Sequence, residues 1–300
     1  MKKKTVGIML SLSMAMSLMA CGSSTQPAAA SVDTEEPAAT TQAASTAEAT
    51  ASSTEAAADT AASTVDVTTI KDGTLMVGVE IGYPPMEYFD TDGATPIGFD
   101  VEVANALADY LGLELVDTSW DGIFAGVDTG KYDCIISCVS ITDERKEQFN
   151  LTKPYVSNHT VLIVPNDSEI DSMEALNGHS TAVQAETTAD DYMKEHSAEL
   201  GAELFQYDKV INCFDDLKAG RTDSVFTDSV VAAYYLGDEA SNYKTVWEND
   251  ELEPIGICLK KGNDGLTQAI DDALDALSAD GTLGTIAEKY FGTDLTAGLR

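Results

Sequence analysis

The sequence predicts an α/β fold in two lobes, and three observations carry that prediction. From about Val67 onward, short apolar runs alternate with helix-spaced apolar patterns, the signature of a largely parallel sheet covered by helices. The alternation comes as two successive series. The roughly 230 residues that hold them suit two cores better than one. No repeat of fixed period runs through the chain.

In the first series, residues 75–79 are a strand. Asp100 is placed to cap a helix whose apolar face is Val101, Ala104, Leu107, Ala108 and Leu111, with Gly112 ending it. Strands follow at 113–116 and 134–139, the latter within a broader strand-like run over 132–139. In the second series, strands are expected at 161–164, 181–184 and 224–227, and helices at 188–195 and 229–236. The end returns to a strand at 255–259. A long helix then lines up Leu266, Ile270, Ala273, Leu274 and Leu277.

The N-terminus reads as a targeting segment. Lys2, Lys3 and Lys4 precede an apolar stretch of about fourteen residues, within the range of a signal-peptide core and short of the roughly 20 that span a bilayer. Leu18-Met19-Ala20-Cys21 is similar to the lipobox of bacterial lipoproteins, which implies cleavage after residue 20 and lipidation, such as palmitate, of Cys21. An ordinary secretory signal with an incidental cysteine is the alternative. Two or more acyl chains anchor stably where one is marginal. Gly22 to Asp66 consists of small and polar residues with no Lys, Arg or aromatic side chain. Such a segment cannot bury enough apolar surface to offset its ordering entropy, and as a flexible stalk it reaches roughly 35–40 Å. Ala-rich helix is the competing reading, opposed by the many Ser and Thr residues.

The chain carries 17 basic and 51 acidic residues, a formal net charge of −34. That charge is repelled by nucleic acid and by anionic lipid heads. Cys134, Cys138, Cys213 and Cys258 show no C-x-x-C spacing. On one strand Cys134 and Cys138 would lie about 13 Å apart, beyond disulfide reach. A Cys213–Cys258 bridge stays open. Buried free thiols are the simplest account of all four, and a zinc site using His159, His179 or His196 is weakly supported.

Six motifs then fall in order: Gly78-Val79-Glu80-Ile81-Gly82-Tyr83-Pro84-Pro85-Met86, Gly98-Phe99-Asp100-Val101-Glu102, Trp120-Asp121-Gly122-Ile123-Phe124, Gly130-Lys131-Tyr132-Asp133, Ser140-Ile141-Thr142-Asp143-Glu144-Arg145 and Thr152-Lys153-Pro154-Tyr155. Together, over about residues 67–294, they resemble the family 3 extracellular solute-binding proteins of amino-acid ABC transporters. The resemblance implies a two-lobed periplasmic-binding-protein-like (type II) fold with two hinge crossings, near residues 156–158 and 254–256. Lobe one would be 67–155 plus 257–300, and lobe two 159–253. It implies no cofactor, no metal and no catalytic residue.

An amino acid presents a carboxylate and an ammonium, so its site needs a fixed cation, a fixed anion and a place for the side chain. Arg145 is the expected cation, its planar fork suited to a carboxylate. A surface arginine paired with Asp143 or Glu144 is the plain alternative. Asp228 is the expected anion, although Asp at that place is also a common helix N-cap. Ser137, Cys138 and Ser140 match the family's partners for the ligand's charged ends. Thr188 belongs to Gln184-Ala185-Glu186-Thr187-Thr188, similar to the family's Gln-x-Gly-Thr-Thr loop. Glu186 stands where glycine is common, which predicts a differently shaped loop. Tyr83 and Trp120 match flanking aromatic positions. Glu80 matches the acidic position near the ligand side chain, to which Asp121 adds if it faces the cleft.

These matches imply an extracytoplasmic, lipid-anchored protein. It would deliver a polar or cationic amino acid (arginine, lysine or histidine first, with cystine and glutamine open because Cys138 and Met86 replace usual residues) to ABC permease subunits by hinge closure. A dehydratase-like enzyme on the same fold and a ligand-sensing protein are the alternatives. Neither a nucleophile–base pair nor a phosphate loop is visible in the sequence.

Overall fold

The computed structural model describes residues 68–108 and 112–299. The signal segment, Cys21, the stalk and Leu111 lie outside the described residues.

The chain opens with strand β1 (Thr74–Val79), a small hairpin of β2 (Tyr88–Phe89) and β3 (Pro96–Ile97), and helix α1 (Phe99–Leu107). Strand β4 (Gly112–Asp117), helix α2 (Trp120–Thr129), strand β5 (Cys134–Ile135), helix α3 (Asp143–Gln148) and strand β6 (Phe149–Leu151) follow. The chain crosses to the second lobe through β7 (Val156–Asn158). That lobe holds β8 (Thr160–Pro165), β9 (Ser180–Gln184), α4 (Thr188–Leu200), β10 (Glu203–Tyr207), α5 (Val210–Lys218), β11 (Ser224–Asp228), α6 (Ser229–Leu236) and β12 (Tyr243–Glu248). Strand β13 (Glu253–Ile255) returns, and β14 (Cys258–Lys260), α7 (Asp264–Ala279) and α8 (Thr282–Phe291) complete the first lobe.

Each lobe is built on a five-stranded sheet, in the order β4-β1-β5-β14-β6 and β10-β9-β11-β8-β12. The sheets are mixed. β1 runs parallel to β4 and β5, and β9 parallel to β10 and β11, because a helix crossover separates successive strands. β14 and β8 are antiparallel to their neighbours because each enters its sheet directly from a crossing, without a helix. The two crossings pair with each other, Glu253 opposite Asn158 and Ile255 opposite Val156. Among the described residues no helix is long and apolar enough to cross a membrane.

The core follows the apolar pattern. Val77, Val79, Phe99, Val103 and Cys134 are buried in the main cluster, as are Leu266, Ile270 and Leu274, spaced along one face of α7. Each such side chain contributes about 1.5–3 kcal/mol on burial. Leu162, Val164, Val183, Met193 and Phe226 form a second cluster in the other lobe.

Four sequence readings are corrected. Asp100 does not cap α1. Gly98 takes the cap position with φ 133°, where a Cβ would come within 2.2 Å of the Met86 carbonyl oxygen. Asp100 instead turns its carboxylate inward, accepting from the Tyr155 hydroxyl and the Cys138 amide, each at 2.7 Å. Gly112 does not terminate the helix but opens β4. The run 132–139 is strand only over Cys134–Ile135, because Cys138 bends away with φ 48° and gives its amide to Asp100 rather than to the ladder. The expected strand 255–259 is two, β13 and β14, interrupted where Gly256 donates to the Val139 carbonyl and Ile257 to the Thr152 hydroxyl. All four cysteines are buried and free.

Candidate functional site

The functional side chains come from strand ends and the loops behind them, the place where open α/β sheets present ligand sites. Glu80 follows β1, Tyr83 lies in the next loop, and Trp120 opens α2. Ser137, Cys138 and Ser140 occupy the bend after β5, with Arg145 in α3. From the other lobe, Gln184 ends β9, Thr187 and Thr188 start α4, and Asp228 ends β11. Glu80, Tyr83, Trp120, Ser137, Cys138, Ser140, Arg145, Thr188 and Asp228 all line one cavity, together with Glu87, Gln184, Thr187 and Ala189.

Arg145 is the cation of this cavity. Its Nη1 donates to the Ser140 carbonyl at 3.0 Å, and its guanidinium lies 4.9 Å from the Phe124 ring centre and 5.6 Å from that of Trp120. Such stacking orients the fork without occupying its donors. The surface ion-pair alternative fails. Asp143 pairs with Lys146 at 3.1 Å, Glu144 accepts from Gln148 at 3.4 Å, and Arg145 has no ion pair with a described residue. Burial lowers its pKa, with the charge of Glu253 opposing.

Asp228 is one of three acids that line the cavity, with Glu80 and Glu87. It occupies the N-cap position of α6 yet makes no side-chain cap bond. Its Oδ2 accepts from the Tyr83 hydroxyl at 2.6 Å, with the Cys138 thiol at 3.6 Å. Burial, then the charge of Glu253, pushes its pKa up to about 7 despite these donors. Glu80, only 3% exposed, accepts from the Gln184 amide at 2.8 Å. Burial raises its pKa to about 7, with Gln184 and then Lys209 pulling the other way. The cavity thus holds two carboxyls whose ionisation depends on what enters it.

Four bonds between described residues join the lobes around the cavity: Tyr83 to Asp228, the Cys138 thiol to Asp228, Gln184 to Glu80, and the Trp120 indole N–H to the Glu186 carbonyl at 2.9 Å. Glu186 adopts φ 62°, so the loop keeps the left-handed geometry that glycine favours, and the expected departure does not occur. Asp190 holds the turn by accepting from the Glu186 amide at 2.7 Å. Thr187 caps α4, while the Thr188 hydroxyl donates to Glu253 in the crossing strand at 2.7 Å. Asp121 is exposed and does not line the cavity, and Met86 is buried outside its lining.

Glu87, Gln184, Thr187 and Ala189 were not among the expected site residues. Gln184 and Thr187 lay within a quoted motif, and Glu87 directly follows another. Their roles depend on partners far along the chain. Among the described residues no group of three or more His, Cys, Asp or Glu side chains is placed to hold a metal. His159, His179 and His196 lie outside the cavity lining.

The sequence profile of the bacterial extracellular solute-binding proteins, family 3, matches residues 75–293. The chain belongs to that family. Among known proteins, this solute-binding protein is similar to the L-cystine-binding protein TcyJ of Escherichia coli (strain K12), 33% identical over 228 residues that cover 75% of this chain and 85% of the relative. An ancestral arginine-binding protein bound to arginine superposes with a TM-score of 0.70 at 35% identity, covering 73% of this chain and 99% of that one. The ancestral amino acid-binding protein AncCDT-1, a precursor of cyclohexadienyl dehydratase, gives 0.68 at 34% identity, covering 73% and 96%.

Proposed function

We propose that this solute-binding protein clasps a free polar or cationic amino acid between its lobes and delivers it to the permease subunits of an ABC transporter. The observation that carries this reading is the meeting of Arg145, from one lobe, and Asp228, from the other, in a single cavity. A zwitterion offers a carboxylate to the first and an ammonium to the second, with the amides at the N-terminus of α4 beside the carboxylate. Tyr83 and Trp120 wall the ligand, Ser137, Cys138 and Ser140 frame its polar ends, and Glu80 with Gln184 receives its side chain. A buried carboxylate at that end favours arginine, lysine or histidine. Cystine, bound by the relative TcyJ, carries a second ammonium that Glu80 also suits.

Closure follows from differential contact. In the open form the ligand touches one lobe, and in the closed form both, so binding shifts the population toward closed. The moving bodies are residues 67–155 with 257–300, and residues 159–253. Lipidation at Cys21 after removal of residues 1–20 would tether the protein by the stalk to the extracytoplasmic face of the cell membrane. Calorimetry with the twenty amino acids and cystine tests the reading: one or a few tight, stoichiometric ligands are expected, and no binding by any of them refutes it. A dehydratase-like activity is the second reading, prompted by AncCDT-1 and by a Glu80 carboxyl poised near neutrality as a general acid. Turnover of a prephenate-like acid would replace the first reading with this one.

A further inference from the structure

One buried acid at the edge of the cavity is not explained by ligand contact. Glu87 is fully buried, and its Oε1 accepts from the Ser137 hydroxyl at 2.5 Å, while that same hydroxyl accepts from the Glu80 amide at 3.0 Å. Its Oε2, equally buried, meets no donor. The neighbouring side chain with which the Glu87 carboxyl shares a hydrogen bond is Asp100. Two ionised carboxylates do not share such a contact in an apolar setting, and a single proton between them resolves both the repulsion and the orphaned oxygen.

The donors around the pair decide where that proton sits. Asp100 uses both oxygens as acceptors, Oδ1 from Tyr155 and Oδ2 from the Cys138 amide. Glu87 has one donor only, Ser137. The charged groups that face Glu87 are Asp100 and Glu80, both acids, with the Cys138 thiol and the Tyr155 phenol beyond Asp100. Burial and then Asp100 hold the Glu87 carboxyl well above the usual carboxylate range.

We propose that Glu87 is a neutral acid that donates its Oε2 proton to Asp100, and that the pair acts as a positioning device for the Cys138 bend. Asp100 holds Cys138 by its amide in a left-handed conformation that a non-glycine residue adopts only when its surroundings impose it. That bend carries the Cys138 thiol to Asp228 and leads to the Ser140 carbonyl, on which Arg145 rests. The side-chain end of the cavity therefore presents one titrating charge, Glu80, and not two.

Infrared spectra of the ligand-free, full chain at pH 7.5, with and without carboxyl-labelled glutamate, test the protonation without reference to any ligand. A label-sensitive band of a protonated carboxylic acid is expected, which Glu87→Gln removes apart from the weaker, pH-titrating contribution of Glu80. Calorimetry with arginine, lysine and cystine as probes tests the positioning role, and this arm alone rests on the amino-acid reading above. Glutamine supplies an N–H to Asp100 and a carbonyl to Ser137, so Glu87→Gln is expected to bind within about threefold of the unaltered chain, whereas Glu87→Ala loses more than about tenfold. Absence of the band, or a loss in Glu87→Gln as large as in Glu87→Ala, overturns the proposal. The second result would mark Glu87 as an anionic ligand contact. Should Glu87→Ala not fold, the infrared band and Glu87→Gln decide. Failure of every probe to bind the unaltered chain refutes the amino-acid reading and leaves the infrared result to decide this one.

Discussion

The hydroxyl of Tyr83 donates to Asp228 Oδ2 at 2.6 Å across the cleft, joining residues 145 positions apart. This bond occupies one oxygen of the carboxylate assigned to the ligand's ammonium, and both partners are buried. It joins the two lobes across the cavity.

Removing that hydroxyl should loosen closure without removing the charge. Hydrogen bonds to ionised groups contribute about 1.5–3 kcal/mol, and a cleft wetted on opening recovers part of this. Tyr83→Phe is expected to expand the ligand-free protein in small-angle scattering and to weaken ligand binding by up to about tenfold. An unchanged scattering profile with unchanged affinity would show that the bond does not hold the lobes together.

Arg145 is the stronger test of the site. With Arg145→Ala, closure would enclose the ligand carboxylate without a cation, a loss of about 3–5 kcal/mol. Calorimetry should therefore find affinity reduced by at least a hundredfold. Arg145→Lys should recover only part, since an ammonium cannot reproduce the planar fork stacked on Phe124 and Trp120. Equal affinities for all three forms would remove Arg145 from the site.

How much of this was legible in the sequence depends on the range of the interaction. Strands 75–79 and 181–184 and helix 229–236 follow from local apolar spacing, and the structure has them within a residue at each end. The motif residues Tyr83, Arg145 and Asp228 were legible by resemblance. The bend at Cys138 was not. An apolar run reads as a continuous strand, and only the amide bond to Asp100, 38 residues earlier, ends it. Asp100 misled for the same reason: capping is the short-range use of an aspartate, and this one serves a long-range use instead. The Gln184–Glu80 bond, spanning 104 positions, leaves no periodic trace. The short strands β10 and β12 are half-exposed, so they show no continuous apolar run.

The two raised carboxyls give the protein a defined pH dependence. Glu80 moves from 4.5 to about 7 and Asp228 from 3.8 to about 7, so the folded chain holds these protons where the unfolded chain has released them. Their contribution to stability is full below pH 4 and is lost as pH rises toward 7, on the order of 3 kcal/mol for Glu80 alone. Ligand-free thermal stability should therefore fall from pH 5 to pH 8, and Glu80→Gln combined with Asp228→Asn should make that fall shallower, Asp100, raised to about 6 by burial, keeping the remainder. Binding runs the opposite way, because the ligand's ammonium needs Asp228 ionised. Affinity should drop as pH falls below 7, more steeply for arginine, which draws on both carboxylates, than for glutamine, which draws on Asp228. Parallel profiles for the two ligands would exclude Glu80 from recognition of the cationic group.

The proposed preference for a cationic side chain rests on Glu80, and a neutral isostere isolates its charge from its shape. In Glu80→Gln the side-chain amide still bonds to Gln184, so the cavity keeps its form while the negative charge at its side-chain end is gone. The guanidinium of arginine would then lie desolvated beside neutral acceptors, a situation that costs at least about 1.4 kcal/mol, or tenfold. Glutamine as ligand loses no charge pairing and should change by less than about threefold. Competition calorimetry between the two ligands reads the ratio directly, free of any difference in folded fraction. The variant should also lose the steeper pH profile for arginine, because the second titrating group is no longer there. Should arginine and glutamine weaken together, the charge of Glu80 would be structural, and the preference for a cationic side chain would have to come from elsewhere in the cavity.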